Sequence, residues 1–189
     1  MELLKVDTLE TARGKLKEAV GENWIKAKKV SLKEALDQVL AEDIYGIINI
    51  PDFRRSMVDG YAVIAKDTMG AGESLPVFLK VIGDVGMGEE ATCVITPGTC
   101  AYVPTGGMIP DGADACVMVE YCEHFDSDEL AVYQATSVGR YVVDIGEDSK
   151  EGELLFKKGT RLRPQEIGAL SAEGFTEIPV FAPLKISII

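Results

Sequence analysis

Ser56-Met57-Val58-Asp59-Gly60-Tyr61-Ala62 joins a charged stretch to a strand-like run. Pro51, Asp52, Arg54 and Arg55 precede it, and Val63 continues the apolar run after it. Gly60 permits a tight turn or a close backbone approach. Asp59 beside it offers a carboxylate at a loop-to-strand junction. On the residues alone two readings stand. One is a hairpin turn in which Asp59 bonds its own backbone; the other is a site in which that carboxylate faces a ligand. Arg54 and Arg55 form a rare basic pair in an acidic chain, either drawing an anionic substrate or lying as solvated charges.

Outward from this stretch, between 44 and about 143, short apolar segments recur at 61–65, 75–82, 92–95, 101–103, 115–119 and 130–133. Gly, Pro and Asp punctuate them. Many short strands at close spacing predict a small β-barrel or sandwich. Before it, Asp7-Thr8-Leu9-Glu10 opens a helix with Asp7 as cap, an apolar face of Leu9, Ala12, Leu16, Ala19 and Val20, and a stop at Gly21. Ser31-Leu32-Lys33-Glu34 has capping-box spacing and predicts a second helix through Leu36, Val39 and Leu40. Both helices read as packing elements. After it, Leu154-Leu155-Phe156 predicts a short strand. Pro164 sits at a first helical position, with Ile167, Ala169 and Leu170 facing inward and Gly174 as the stop. Val180-Phe181 and the run 184–189 read as strands.

The excess of 31 acidic over 19 basic residues gives a net charge of −12, which repels phosphate backbones, so no nucleic-acid partner is expected. An anionic substrate then needs a local basic patch or a bound metal. No apolar run reaches the ~20 residues of a membrane span, and residues 1–7 lack the pattern of a signal peptide, so a cytoplasmic protein without a membrane partner is expected. Cys93, Cys100, Cys116 and Cys122 have no C-x-x-C spacing, and His124 is the only histidine. Reduced, partly buried thiols are therefore expected, without a zinc site.

The opening stretch resembles the S-x-M-D-G-Y-A signature of the MoeA/gephyrin family of molybdopterin molybdenumtransferases, with Val58 where Met is usual. Three further stretches match in order. Residues 31–43 resemble the segment before the signature. Pro104-Thr105-Gly106-Gly107-Met108-Ile109-Pro110-Asp111-Gly112-Ala113-Asp114-Ala115 resembles P-T-G-A-x-x-P-x-G-A-D-A, with Glu120 following at its place. Gly146-Glu147-Asp148, Gly152, Gly159 and 164–174 resemble the G-E-D stretch and its following helix. The tract Tyr141-Val142-Val143-Asp144-Ile145 departs from members that carry asparagine and arginines there. An unrelated small β-barrel binding a ligand by a Gly-rich loop would not produce four ordered motifs.

The resemblance implies an α+β chain: an elongated discontinuous α/β domain (1–45 and 144–180) with an inserted small β-barrel-like domain (46–143). Residues 181–189 would begin a MogA-like α/β domain and be cut off before it. It implies insertion of molybdate into adenylylated molybdopterin with release of AMP, assisted by Mg2+, in a homodimer, with other molybdenum cofactor biosynthesis proteins as further partners. The fragment alone would be inactive; a dimerising scaffold of the gephyrin type is the alternative. Asp59 is the expected active-site carboxylate and metal ligand. Thr105 is expected beside it, with its hydroxyl and the Gly106 and Gly107 amides holding an oxyanion or phosphate; a simple turn is the competing reading. Ser56, Gly60, Tyr61 and Glu120 complete the expected substrate-binding set, Glu120 being readable also as an exposed strand residue. Asp111 and Asp114 read as turn caps.

Overall fold

A computed structural model of the chain describes residues 6–21, 25–126 and 128–183. Its elements in order are α1 (Leu9–Val20), β1 (Ala27–Ser31), β2 (Ile44–Tyr45), β3 (Arg55–Ser56), β4 (Gly60–Val63), β5 (Val77–Asp84), β6 (Thr99–Val103), β7 (Ala115–Met118), β8 (Cys122–His124), β9 (Glu129–Val132), β10 (Val142–Val143), β11 (Leu154–Phe156), α2 (Pro164–Ala172) and β12 (Glu177–Phe181). No helix among the described residues is long and apolar enough to cross a membrane. The chain divides into two units, one made of Met1–Tyr45 with Leu154–Ile189 and the other of Gly46–Glu153.

In the first unit β1 pairs antiparallel with β12, placing Val30 opposite Ile178, and β2 pairs with β11. Val30, Leu32, Leu40, Ile44, Leu162, Leu170, Ile178 and Val180 form its core. Pro164 begins α2, where its missing N–H is no loss. The Arg163 amide donates to Glu166 Oε2 at 2.9 Å, satisfying a backbone donor at the helix start. Ile167 and Leu170 pack inward, but Ala169 is exposed.

Two sequence expectations fail here. The capping-box spacing at Ser31 yields only a three-residue 3-10 turn, Leu32–Glu34. Ser31 belongs to β1, and its hydroxyl bonds the Glu34 carboxylate instead of a backbone amide. Beyond the turn, Asp37 takes φ 65°, and Val39 and Leu40 bridge to Arg161 and Val180, so sheet-like pairing overrides helical spacing. The first helix forms, but Thr8 caps it, accepting from the Thr11 amide, while Asp7 pairs with Lys15. None of its residues is buried, so α1 packs no core.

The second unit holds a six-stranded sheet in the order β7-β4-β6-β5-β9-β8. β4 runs antiparallel to both neighbours, and β5 runs parallel to β6. β4 is buried along its whole length. Alternation puts Tyr61 and Val63 into one cluster with Leu79, Val117, Leu130 and Val132, and Ala62 into another with Val85, Ile95, Val103 and Ile109. The sheet curls. β4 and β8 are four strand spacings apart, about 19 Å in a flat sheet, yet the Tyr61 hydroxyl hydrogen-bonds His124 Nε2 at 2.8 Å. The expected barrel is thus a curled open sheet, since β7 and β8 do not pair.

The apolar run at 92–95 forms no strand; Ile95 only donates to the Asp111 carbonyl beside an isolated bridge between Val94 and Asp111. Residues 144–153, expected with the segments of the first unit, fall in the second. A ladder of backbone bonds holds them to 46–51: Gly146 to Pro51, Ile50 to Ser149, Gly152 to Gly46 and Gly46 to Glu153. The strand expected at 184–189 lies outside the described residues.

Candidate functional site

Three sequence-distant segments end together in the β unit. Gly60, at the start of β4, lies opposite Val103 at the end of β6 and opposite Met118 at the end of β7. Asp59, just before β4, therefore meets the loop leaving β6 and the 3-10 turn Val119–Tyr121 leaving β7. The Val119 amide donates to the Asp59 carbonyl at 2.9 Å. Asp59 Oδ1 accepts from the Thr105 amide at 2.7 Å and the Thr105 hydroxyl at 3.1 Å. Asp59, Thr105 and Glu120 are all exposed at this one end of the sheet.

The glycine between signature carboxylate and strand is a packing requirement. A Cβ on Gly60 would stand 2.1 Å from the Val117 carbonyl oxygen. The two loops are also laced together: the Ser56 amide donates to the Gly107 carbonyl at 2.9 Å, and the Gly106 amide to the Ser56 carbonyl at 2.8 Å. The Ser56 hydroxyl donates to the Val58 carbonyl at 2.6 Å.

Several sequence-derived assignments change accordingly. The Gly106 amide is spent on Ser56, and the Gly107 amide on the Pro104 carbonyl at 2.8 Å. With the Thr105 amide engaged by Asp59, this loop has no free run of N–H groups for an oxyanion. Ser56 is 2% exposed, and Gly60 and Gly107 are buried, so these hold the loops and offer no substrate surface. Tyr61 is 5% exposed, with its hydroxyl committed to His124 and its ring edge-on to Tyr102. Burial, reinforced by Cys122, Cys100 and Tyr102 nearby, pushes its phenol up from the ordinary value, so it stays neutral. Glu120 stands in a turn instead of a strand. The basic pair is engaged as well: Arg54 donates to the Ala113 carbonyl at 3.0 Å, and Arg55 pairs with Asp148 at 3.3 Å. Asp114 caps a turn, accepting from the Ala65 amide.

Sequence reading missed His124 as the partner of Tyr61, and the turn 119–121 as the third side of the Asp59 loop. Neither has a local signal: the first depends on how the sheet curls and the second on the register of β4 with β7. A cleft of about 400 Å³ opens beside Gly106, lined by Asp52, Phe53, Gly88, Glu89, Glu90 and Met108. Its carboxylates make it a poor cradle for an anion. Among the described residues no three His, Cys, Asp or Glu side chains gather as a metal cluster.

Known proteins share this arrangement's sequence and fold. The chain is 34% identical over 163 residues to the molybdopterin molybdenumtransferase of Bacillus subtilis, covering 85% of this chain and 38% of that protein. Two crystal structures of the molybdopterin biosynthesis MoeA protein of Pyrococcus horikoshii superpose with TM-scores of 0.78 and 0.83, at 42% and 40% identity. They match 82% and 94% of this chain, and 41% and 44% of their own. The chain thus spans about two fifths of the length of these relatives. The family description "MoeA N-terminal region (domain I and II)" matches residues 7–174, and the chain belongs to that family.

Proposed function

We propose that this chain is the front region of an enzyme that inserts molybdate into adenylylated molybdopterin and releases AMP, in the cytoplasm, as a step of molybdenum cofactor biosynthesis. The observation that carries the reading is the convergence of Asp59, Thr105 and Glu120 on one exposed sheet end, in a chain matched to the family over residues 7–174. In this reading residues 46–153 are the inserted β domain, and the flanking segments form a discontinuous domain. Asp59 would be the carboxylate on this wall that holds Mg2+, and the ion would supply charge neutralisation that favours departure of AMP. The engaged arginines and the acidic lining beside Gly106 leave this wall without a cradle for an anionic substrate. The substrate's positive partners then come from the rest of the enzyme, and this chain alone is inactive.

The test joins the remaining domains of a molybdopterin molybdenumtransferase to this chain and measures AMP release with molybdate. Asp59→Ala is expected to lower turnover by at least ~100-fold with the fold intact. Parent-like turnover would remove Asp59 from the site. A second reading, a dimerising scaffold, draws on α1, whose Leu9, Leu16 and Val20 are 63%, 64% and 38% exposed. Sedimentation of Leu16→Glu separates the two: loss of the homodimer with AMP release retained favours the scaffold role for that helix.

A further inference from the structure

We propose that Thr105 is a positioning residue for Asp59, acting on the chemistry only through that carboxylate. The inference rests on the reading of Asp59 given above. An exposed aspartate at a loop end ordinarily samples several side-chain rotamers. Here two donors from one residue converge on one oxygen: the Thr105 amide at 2.7 Å and its hydroxyl at 3.1 Å, both on Oδ1. Oδ2 takes no hydrogen bond among the described residues, so the pairing fixes the carboxylate and leaves one oxygen presented.

The clamp is itself held. The Gly106 and Ser56 amides tie the Thr105 loop to the segment before Asp59, at 2.8 and 2.9 Å. The Val119 amide fixes the Asp59 backbone from the opposite side at 2.9 Å. Asp59 is therefore set by three segments, and a group set in advance loses less freedom when the reacting atoms align. The same bonds exclude a direct role. Thr105 has two protons to donate, and both go to Asp59, so neither is left for a phosphate oxygen.

The experiment uses the full-length protein described above, with saturation kinetics of AMP release. Thr105→Val keeps the side-chain shape and the amide but removes the hydroxyl; Thr105→Ser keeps both donors. Thr105→Val is expected to lower kcat about ten-fold with KM almost unchanged, the effect of one hydrogen bond to a charged group. Thr105→Ser is expected to restore the rate. On an Asp59→Ala background, Thr105→Val is expected to cost nothing more, because its target is gone. If the two losses multiply, or KM rises while kcat holds, Thr105 meets the substrate itself and the proposal falls. Parent-like turnover by Asp59→Ala alone would instead overturn the reading of the site. A bond that exists must also move the Thr105 amide proton resonance in Asp59→Ala; an unmoved resonance refutes the clamp independently of activity.

Discussion

Replacing Gly60 with alanine tests whether the signature glycine is there for packing. The new Cβ would lie 2.1 Å from the Val117 carbonyl oxygen, 2.9 Å from its carbon and 3.2 Å from Met118 Cα. Carbon–oxygen contacts settle near 3.3 Å, so β4 and β7 must part by about 1 Å. All three obstacles are backbone atoms, which no rotamer change can move aside. Parting the strands stretches the 2.9 Å bond from the Val119 amide to the Asp59 carbonyl beyond useful range. Its loss costs about 1 kcal/mol, and overpacking strain adds ~1–3 kcal/mol. A total of about 3 kcal/mol corresponds to a midpoint lowered by roughly 6–12 °C for a chain of this size. Thermal unfolding followed by circular dichroism measures it. Gly168→Ala is the control: nothing lies within 4 Å of a Cβ there, in the middle of α2, so it should stabilise by ~0.5–1 kcal/mol. A Gly60→Ala midpoint equal to the parent's would refute the steric reasoning.

The Glu166 carboxyl is held at about 2, below its ordinary 4.5, chiefly by hydrogen bonds from the Arg163 side chain and further by the Arg163 amide. Since the unfolded chain binds that proton more tightly, the stabilisation is complete above about 4.5 and disappears as pH falls toward 2. Glu166→Gln should flatten acid-induced destabilisation across that window; identical pH curves for the two proteins would count against it. Burial pushes the Cys100 and Cys122 thiols up to about 12 and Cys116 to about 11. Iodoacetamide at pH 8 should therefore modify half-buried Cys93 first and the other three only on unfolding, as mass spectrometry of peptides will show. Fast labelling of Cys116 in the folded protein would contradict its burial.

Strands with several alternating or apolar residues were legible, among them β4, β5, β6, β7 and β9. The short strands β3, β8 and β10 were not, because two or three residues carry no measurable period; β11, equally short, was legible only because all three of its residues are apolar. The helix expected at Ser31 failed for a related reason. Leu32, Val39 and Leu40 suit either a helical stripe or a bridged segment, and contact with Arg161 and Val180 decides between them. The opposite outcome holds for α1, which forms where its periodicity puts it yet covers no core.

The amino-acid sequence by itself determined the family, through four motifs in order, and marked Asp59, Thr105 and Glu120 as candidates. It also set the proline at 164, whose backbone demand is local. Only the tertiary structure sorted the signature into parts. Ser56, Gly60, Tyr61 and Gly107 turned inward to hold strands and loops, while Asp59, Thr105 and Glu120 were left exposed on one sheet end. The physical reason is that register between β4, β6 and β7 joins residues 59, 105 and 119, and the curl of the sheet carries Tyr61 to His124. Neither register nor curl is a property of any segment taken alone.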